Sequence, residues 1–167
     1  MAALPPQSSQ GDAMTANTEI KLRPLAAGDL AAVTRLDATN GGESRAGFFE
    51  RRLQAEQQSP TGFFSCVAER GGEVAGFLLG HLLDGEFGGL ERVAVLDAVA
   101  IDPAAQRQGL ARKLVGEFDR SARERGASEM RTQAQWDRPG LVEFFSAAGF
   151  RLSPRLVLER PTEYVNF

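Results

Sequence analysis

Val99-Ala100-Ile101-Asp102-Pro103-Ala104-Ala105-Gln106-Arg107-Gln108-Gly109-Leu110-Ala111-Arg112 is the stretch whose reading decides the fold. An apolar run stops at an Asp-Pro break, a short loop follows, and small residues stand where a helix begins. A helix N-terminus offers unpaired N–H donors and the positive end of the helix dipole, which together bind a pyrophosphate. Gly109 and Ala111 would let phosphates approach the backbone, and Arg107, Arg112 and Lys113 add positive charge. By itself Gln-x-x-Gly-x-Ala is a short pattern, and a glycine easing a tight β-α turn accounts for it equally well. The surrounding sequence decides between the two.

Upstream, Glu91 to Ile101 is apolar on both faces, which predicts a central strand. Glu73 to Leu83 and Phe63 to Glu69 are predicted strands joined by Gly71-Gly72, a pair suited to a tight hairpin. Two helices precede them. One opens at Gly28-Asp29, with Asp29 as its cap and Leu30, Val33 and Leu36 at helical spacing; the other carries Ala46, Phe49 and Leu53 and ends before Pro60. Glu19 to Pro24 alternates as a first strand. Downstream, Leu110, Leu114, Val115, Phe118 and Ala122 share one helical face that ends near Gly126. Glu129 to Trp136 is the next strand, and Pro139 opens a helix that ends at Gly149. Phe150 to Leu152 and Arg155 to Glu159 are expected to close the fold as a strand pair around Ser153-Pro154. The predicted order is β-α-α-β-β-β-α-β-α-β-β.

The 167 residues suit one domain, 19–167, behind a disordered leader, 1–18, in which Met14 could serve as an alternative start. Hydrophobic residues are 43% and charged residues 25%, the balance of a globular chain. No apolar run reaches the roughly 18–20 residues that span a bilayer, and no secretory signal pattern stands at the start. A cytoplasmic location follows by default. Net charge is −3 and the basic residues are scattered, which argues against nucleic-acid binding. The single cysteine, Cys66, allows no intrachain disulfide and no Cys-based metal cluster. Its apolar surroundings predict a buried structural thiol.

The Gln106-to-Ala111 segment resembles the acetyl-CoA signature of the GNAT superfamily of N-acetyltransferases, Arg/Gln-x-x-Gly-x-Gly/Ala, and the resemblance spans nearly all of residues 19–160. Leu22-Arg23-Pro24 with Gly28-Asp29-Leu30 looks like that family's first strand and helix. Phe144-Phe145-Ser146-Ala147-Ala148-Gly149-Phe150 looks like its late helix-to-strand element. The resemblance implies an α/β fold of the α+β type: a mixed, mostly antiparallel, V-splayed sheet flanked by helices, parting near Val99 and Gln133. It also implies that pantetheine enters the split as a pseudo-strand along Val99, Ala100 and Ile101. The pyrophosphate would lie on the N–H groups of Arg107, Gln108, Gly109, Leu110, Ala111 and Arg112 after Gln106. Acetyl-CoA is thus the expected co-substrate, with no metal. The expected partner is a small-molecule or peptide amine, with no nucleic acid and no membrane. A homodimer is compatible with this, and nothing in the sequence selects it.

The implied reaction is direct attack of a neutral amine on the thioester in a ternary complex. An alkyl ammonium is only about one part in 10³ neutral at pH 7, so a carboxylate or a water relay must take its proton. The oxyanion would meet a strand N–H near Val99 or Ala100. In this family the acid is commonly a tyrosine at the second aromatic of the late helix; here that residue is Phe145, and the sole tyrosine is Tyr164. The family's central-strand glutamate falls at Val95. Asp97, two residues on, is the preferred carboxylate, against a strand aspartate tied to backbone or an arginine. Glu86 is the second choice, against a solvated turn charge. His81 reads as structural, and Trp136 as core rather than substrate platform. Two rivals remain: a CoA-binding regulatory module, and a transferase of another acyl group.

Overall fold

In a computed structural model that describes residues 19–41, 44–85, 91–135 and 137–162, five strands form one sheet in chain order. They are β1 (Ile20–Arg23), β2 (Phe63–Arg70), β3 (Glu73–Asp84), β4 (Arg92–Ile101) and β5 (Ala127–Thr132). The helices are α1 (Leu30–Gly41), α2 (Ala46–Gln58), α3 (Leu110–Glu124) and α4 (Pro139–Ala147). The first four strands pair antiparallel, and β5 pairs parallel with β4. This is the mixed, mostly antiparallel sheet that the family resemblance implies. Gly71 (φ 60°) and Gly72 (φ 86°) both adopt the left-handed conformation of a two-residue hairpin, which sets the β2–β3 register.

The central strands are apolar on both faces because both faces are covered. Leu78, Ala94 and Leu96 meet Leu114, Val115 and Phe118 of α3 in one buried cluster. Phe77, Leu79, Ala98 and Ala100 meet Val33 and Leu36 of α1 and Phe49 and Leu53 of α2 in the other. Cys66 is 3% exposed, as expected, and burial pushes its thiol up to about 11.

Three expectations need correction. Asp29 does not cap α1 directly: a 3₁₀ turn, Ala27–Asp29, precedes that helix, and the Asp29 carboxylate accepts from the Ala26 N–H and from Arg23 at 2.6 and 2.9 Å. The strand expected over residues 129–136 is β5, which begins earlier, at Ala127, and stops at Thr132, where its pairing with Leu96 of β4 ends. The closing strand pair does not form: residues 150–161 contain neither helix nor strand, and Leu152, Leu156 and Leu158 stand exposed. The proposed leader, Glu86, Trp136 and Tyr164 lie outside the described residues.

No helix among the described residues is long and apolar enough to cross a membrane.

Candidate functional site

The parallel β4–β5 ladder runs from Arg92 opposite Ala127 to Leu96 opposite Thr132 and goes no further. The Thr132 hydroxyl donates to the Leu96 carbonyl at 3.1 Å, the last link before the strands part. β4 continues to Ile101 with β3 on one side and a cleft of about 880 Å³ on the other. Asn40 Nδ2 and Gln106 Nε2 both donate to the Ile101 carbonyl at 3.3 Å, whereas the next N–H, that of Asp102, turns to Ala75 of β3. Backbone groups alternate in direction along a strand. The N–H and C=O of Val99 and Ile101 therefore face the cleft, and those of Ala100 face β3.

The β4–α3 loop forms the floor of the cleft. Asp102 accepts from the Ala104 N–H at 2.8 Å and starts a 3₁₀ turn, Pro103–Ala105. Arg107 (φ 60°) and Gly109 (φ 79°) then take left-handed conformations, the kind of turn that gathers successive N–H groups on one side. Among the described residues, no backbone N–H from Arg107 to Arg112 donates to another backbone group. A Cβ at Gly109 would meet nothing within 4 Å, so the loop stands open in front of that row of donors. A diphosphate needs those features: unpaired donors, a dipole end, and space for close approach. Arg107 and Arg112 line the same cleft.

Of the expected site residues, Asp97, Val99, Ala100, Ile101, Gln106, Arg107, Gly109, Leu110, Ala111, Arg112 and Phe145 all line this one cleft. Gln108 does not. Its side chain accepts from Arg70 at 2.7 Å and donates to the Ala104 carbonyl at 3.2 Å, bracing the loop from outside. Phe145 is 5% exposed and packs against Phe144 and Phe150, each ring centroid 5.2 Å away.

Asp97 is the extra residue of a β-bulge. Ala98 pairs with Leu79 and Leu96 with Gly80, which leaves Asp97 without a partner in the ladder. A bulge re-aims a side chain, and here it brings the carboxylate to Arg52 of α2 at 2.6 Å and to His81 Nδ1 at 2.9 Å. Both contacts are to Oδ2, so Oδ1 remains for a third partner. The arginine alternative for Asp97 is thus present in the structure, and His81, expected to be structural, is the second partner of the same carboxylate oxygen.

Other lining residues were not legible as site residues. Asp37 of α1 is buried and paired through both oxygens with Arg45, at 2.6 and 2.7 Å. That carboxylate holds the Arg45 guanidinium above its ordinary range. Arg138, just before α4, donates to the carbonyls of Asn40 and Gly41 at 2.7 and 3.2 Å. It ties the C-terminal end of α1, where the dipole is negative, across the cleft mouth. One signal did exist: Arg45, Phe48, Phe49 and Arg52 recur at i, i+3, i+4 and i+7, which puts two arginines on the face that α2 buries. Among the described residues no group of three or more His, Cys, Asp or Glu could hold a metal ion.

Comparison with known proteins agrees with this geometry. A sequence search of curated proteins finds no match. Solved structures share the fold at low identity. The aminoglycoside 6′-N-acetyltransferase AAC(6′)-IG from Acinetobacter haemolyticus is 17% identical with a TM-score of 0.73, over 85% of this chain and 98% of that one. The aminoglycoside N-acetyltransferase AAC(6′)-Iy in complex with CoA is 19% identical with a TM-score of 0.71, over 93% and 99%. Glucosamine-6-phosphate N-acetyltransferase from Arabidopsis thaliana is 15% identical with a TM-score of 0.69, over 87% and 99%. The profile of the Acetyltransferase (GNAT) family matches residues 31–150, which takes in the split sheet, the α3 loop and Phe145. By that match the chain belongs to the GNAT acetyltransferase family.

Proposed function

We propose that the protein is an N-acetyltransferase that moves the acetyl group of acetyl-CoA to an amine by direct attack in a ternary complex. One observation carries the reading: the cleft runs from the cleft-facing backbone of Val99 and Ile101 to the free N–H groups of residues 107–112. A strand edge without a strand suits the amide-bearing pantetheine arm, and the α3 end suits the diphosphate. Few side chains are needed for this, so the backbone holds the donor and leaves the side chains of α1, α2 and β5 to the acceptor.

In the reaction the amine lone pair attacks the thioester carbonyl carbon. The C–N bond forms, the carbonyl electrons pass to oxygen, and the C–S bond then breaks to release the thiolate. The Val99 N–H, aimed into the cleft, is the donor placed to meet the oxyanion. Asp97 Oδ1 is the carboxylate oxygen proposed to receive the ammonium proton, directly or through water, while Arg52 and His81 hold Oδ2. Phe145 contributes an apolar wall and no proton; a thiol with a pKa near 8.5 leaves without one. The acceptor is an amine-bearing small molecule or peptide, the class to which the aminoglycosides and aminosugars in the names of the structural neighbours belong.

One feature favours a second reading, a CoA-binding regulatory module: half of the Asp97 carboxylate is already engaged by Arg52. Thiol release from acetyl-CoA over a panel of amines separates the two. Amine-dependent release supports the transferase, and CoA binding without release under any amine supports the module. Repeating the assay with longer acyl-CoAs tests the acyl group.

A further inference from the structure

Two guanidinium groups meet at the last turn of α1, on the wall of the cleft. Asp37 takes Arg45 through both oxygens, at 2.7 Å from Nε and 2.6 Å from Nη2. The carbonyls of Asn40 and Gly41 take Nη1 and Nη2 of Arg138, at 2.7 and 3.2 Å. All five residues line the cleft. Four residues of helix rise about 6 Å, so Asp37 and Gly41 anchor the two heads about one turn apart. One head comes from the start of α2 and the other from the start of α4.

These contacts fix the heads and leave donors open. A guanidinium has five N–H groups, and among the described residues Arg45 Nη1 and Arg138 Nε donate to none. Both side chains reach solvent: that of Arg45 is 46% exposed, and Arg138 is exposed. The Phe48 and Phe49 rings also hold Arg45, their centroids 5.0 and 5.8 Å from its Cζ. Two planar forks with open donors, a helical turn apart, suit a carboxylate or a phosphate.

Charge points the same way. Among the described residues the carboxylates that line the cleft are Asp37 and Asp97, and each already faces an arginine, Arg45 and Arg52. Arg138 faces only carbonyls. The helix end they belong to sets about half a negative charge against a full positive one. This end of the cleft is left positive, which opposes a polycationic amine and favours one that brings its own negative group. Arg45 is also close to the proposed base. The Phe48 centroid lies 5.0 Å from Arg45 Cζ and 5.5 Å from Arg52 Cζ, so the two carbons are at most about 10.5 Å apart, the sum of those distances. Arg52 in turn holds Asp97 Oδ2 at 2.6 Å.

We propose that, in the transfer reaction proposed above, on which this rests, the acceptor is an amine that also carries an anionic group, a carboxylate or a phosphate. Arg45 and Arg138 hold that group while the amine lies at Asp97 Oδ1. One small molecule spans both points, and its negative group fixes which amine is presented to the thioester.

Initial rates with paired acceptors test this: α-amino acids against their carboxamides, aminosugar phosphates against the parent aminosugars, and a polyamine. The wild type should give its highest kcat/KM with an anionic member, at least tenfold above its neutral partner, and the better series tells carboxylate from phosphate. Arg138→Gln should cut that ratio by about ten- to a hundredfold, through acceptor KM rather than kcat, with CoA affinity by calorimetry unchanged. Arg138 is exposed, so this variant should fold. Arg45→Gln alone strands the buried Asp37, whereas Arg45→Gln with Asp37→Asn removes both charges and should show the same loss of preference. A neutral amine or the polyamine as best acceptor overturns the proposal and leaves acetyl transfer standing. So does an Arg138→Gln enzyme that keeps the ratio, whatever its CoA affinity. No turnover of any amine rejects the transfer reaction itself, and the anionic acceptor with it.

Discussion

Replacing Gly109 with glutamate separates what the α3 loop does for the fold from the diphosphate binding proposed for it. A Cβ at Gly109 meets nothing within 4 Å, so the added Cβ itself causes no clash. The cost to the fold comes from the backbone, because φ is 79° and an L-residue held there loses about 1–2 kcal/mol. In a chain of this length each kcal/mol lowers Tm by about 2–4 °C. The cost to the ligand is larger. A carboxylate placed about 4 Å from a phosphate, at an effective dielectric near 20, is opposed by about 4 kcal/mol, which is about a thousandfold in Kd. Gly109→Ala carries the same backbone cost without the charge, so its CoA affinity should stay within about tenfold of wild type. Calorimetric titration with CoA and thermal melts on both variants measure the two costs. A Gly109→Glu protein that binds CoA as tightly as wild type would refute the placement of the diphosphate.

Four further outcomes are expected. Asp97→Asn should lower kcat/KM by about 10²–10⁴ with CoA affinity nearly unchanged, and should lower Tm as well, since Arg52, whose Nε is already buried without a partner, loses its counter-charge; wild-type rates in a folded variant would return Asp97 to a purely structural role. Phe145→Tyr should leave kcat unchanged or slightly reduced, because it buries an unpaired hydroxyl in a packed aromatic group; a rise of tenfold or more, about 1.4 kcal/mol of barrier, would show that thiolate departure had been limiting. Gly80→Ala should destabilise by about 1–3 kcal/mol in a denaturant titration, because its Cβ would lie 2.6 Å from the Phe118 ring and 2.7 Å from the Val95 carbonyl. The Arg23 guanidinium holds the Asp29 carboxyl below its ordinary 3.8, so its contribution to stability is complete above that pH and lost as pH falls through the lowered value; Asp29→Asn should flatten this part of the acid-unfolding profile.

The elements that were legible in the sequence are those whose signals are local. Gly71-Gly72 specifies its hairpin through the φ that only such a pair accepts easily, and Leu110 to Ala122 specifies α3 through its 3.6-residue period. The α3 loop was legible for the same reason: the diphosphate binding proposed for it needs only backbone donors and small residues, and these stand together in the chain. Asp97 was found as a residue but not as a geometry. The bulge that re-aims it exists only in the register of β4 against β3, and a one-residue shift leaves no trace in the apolar pattern of β4. Its partners Arg52 and His81 lie 45 and 16 residues away in the sequence, which no spacing rule connects. The end of β5 at Thr132 is set by where β4 parts from it, again a tertiary event. The closing strand pair was read from a pattern that is present in the sequence, Leu156 and Leu158 in alternation. A strand pattern does not say which edge it pairs with.

The central claim is that acetyl groups pass from acetyl-CoA to amines in the β4–β5 cleft. The most direct measurement is a stoichiometry: purified protein, acetyl-CoA and a panel of amines, with free thiol and N-acetylated amine quantified in the same reaction. The account predicts at least one amine for which the two rise together, one N-acetyl product for each thiol, with both abolished in Gly109→Glu. Thiol released at the same rate with or without amine, or CoA bound with neither product formed across the panel, would contradict it.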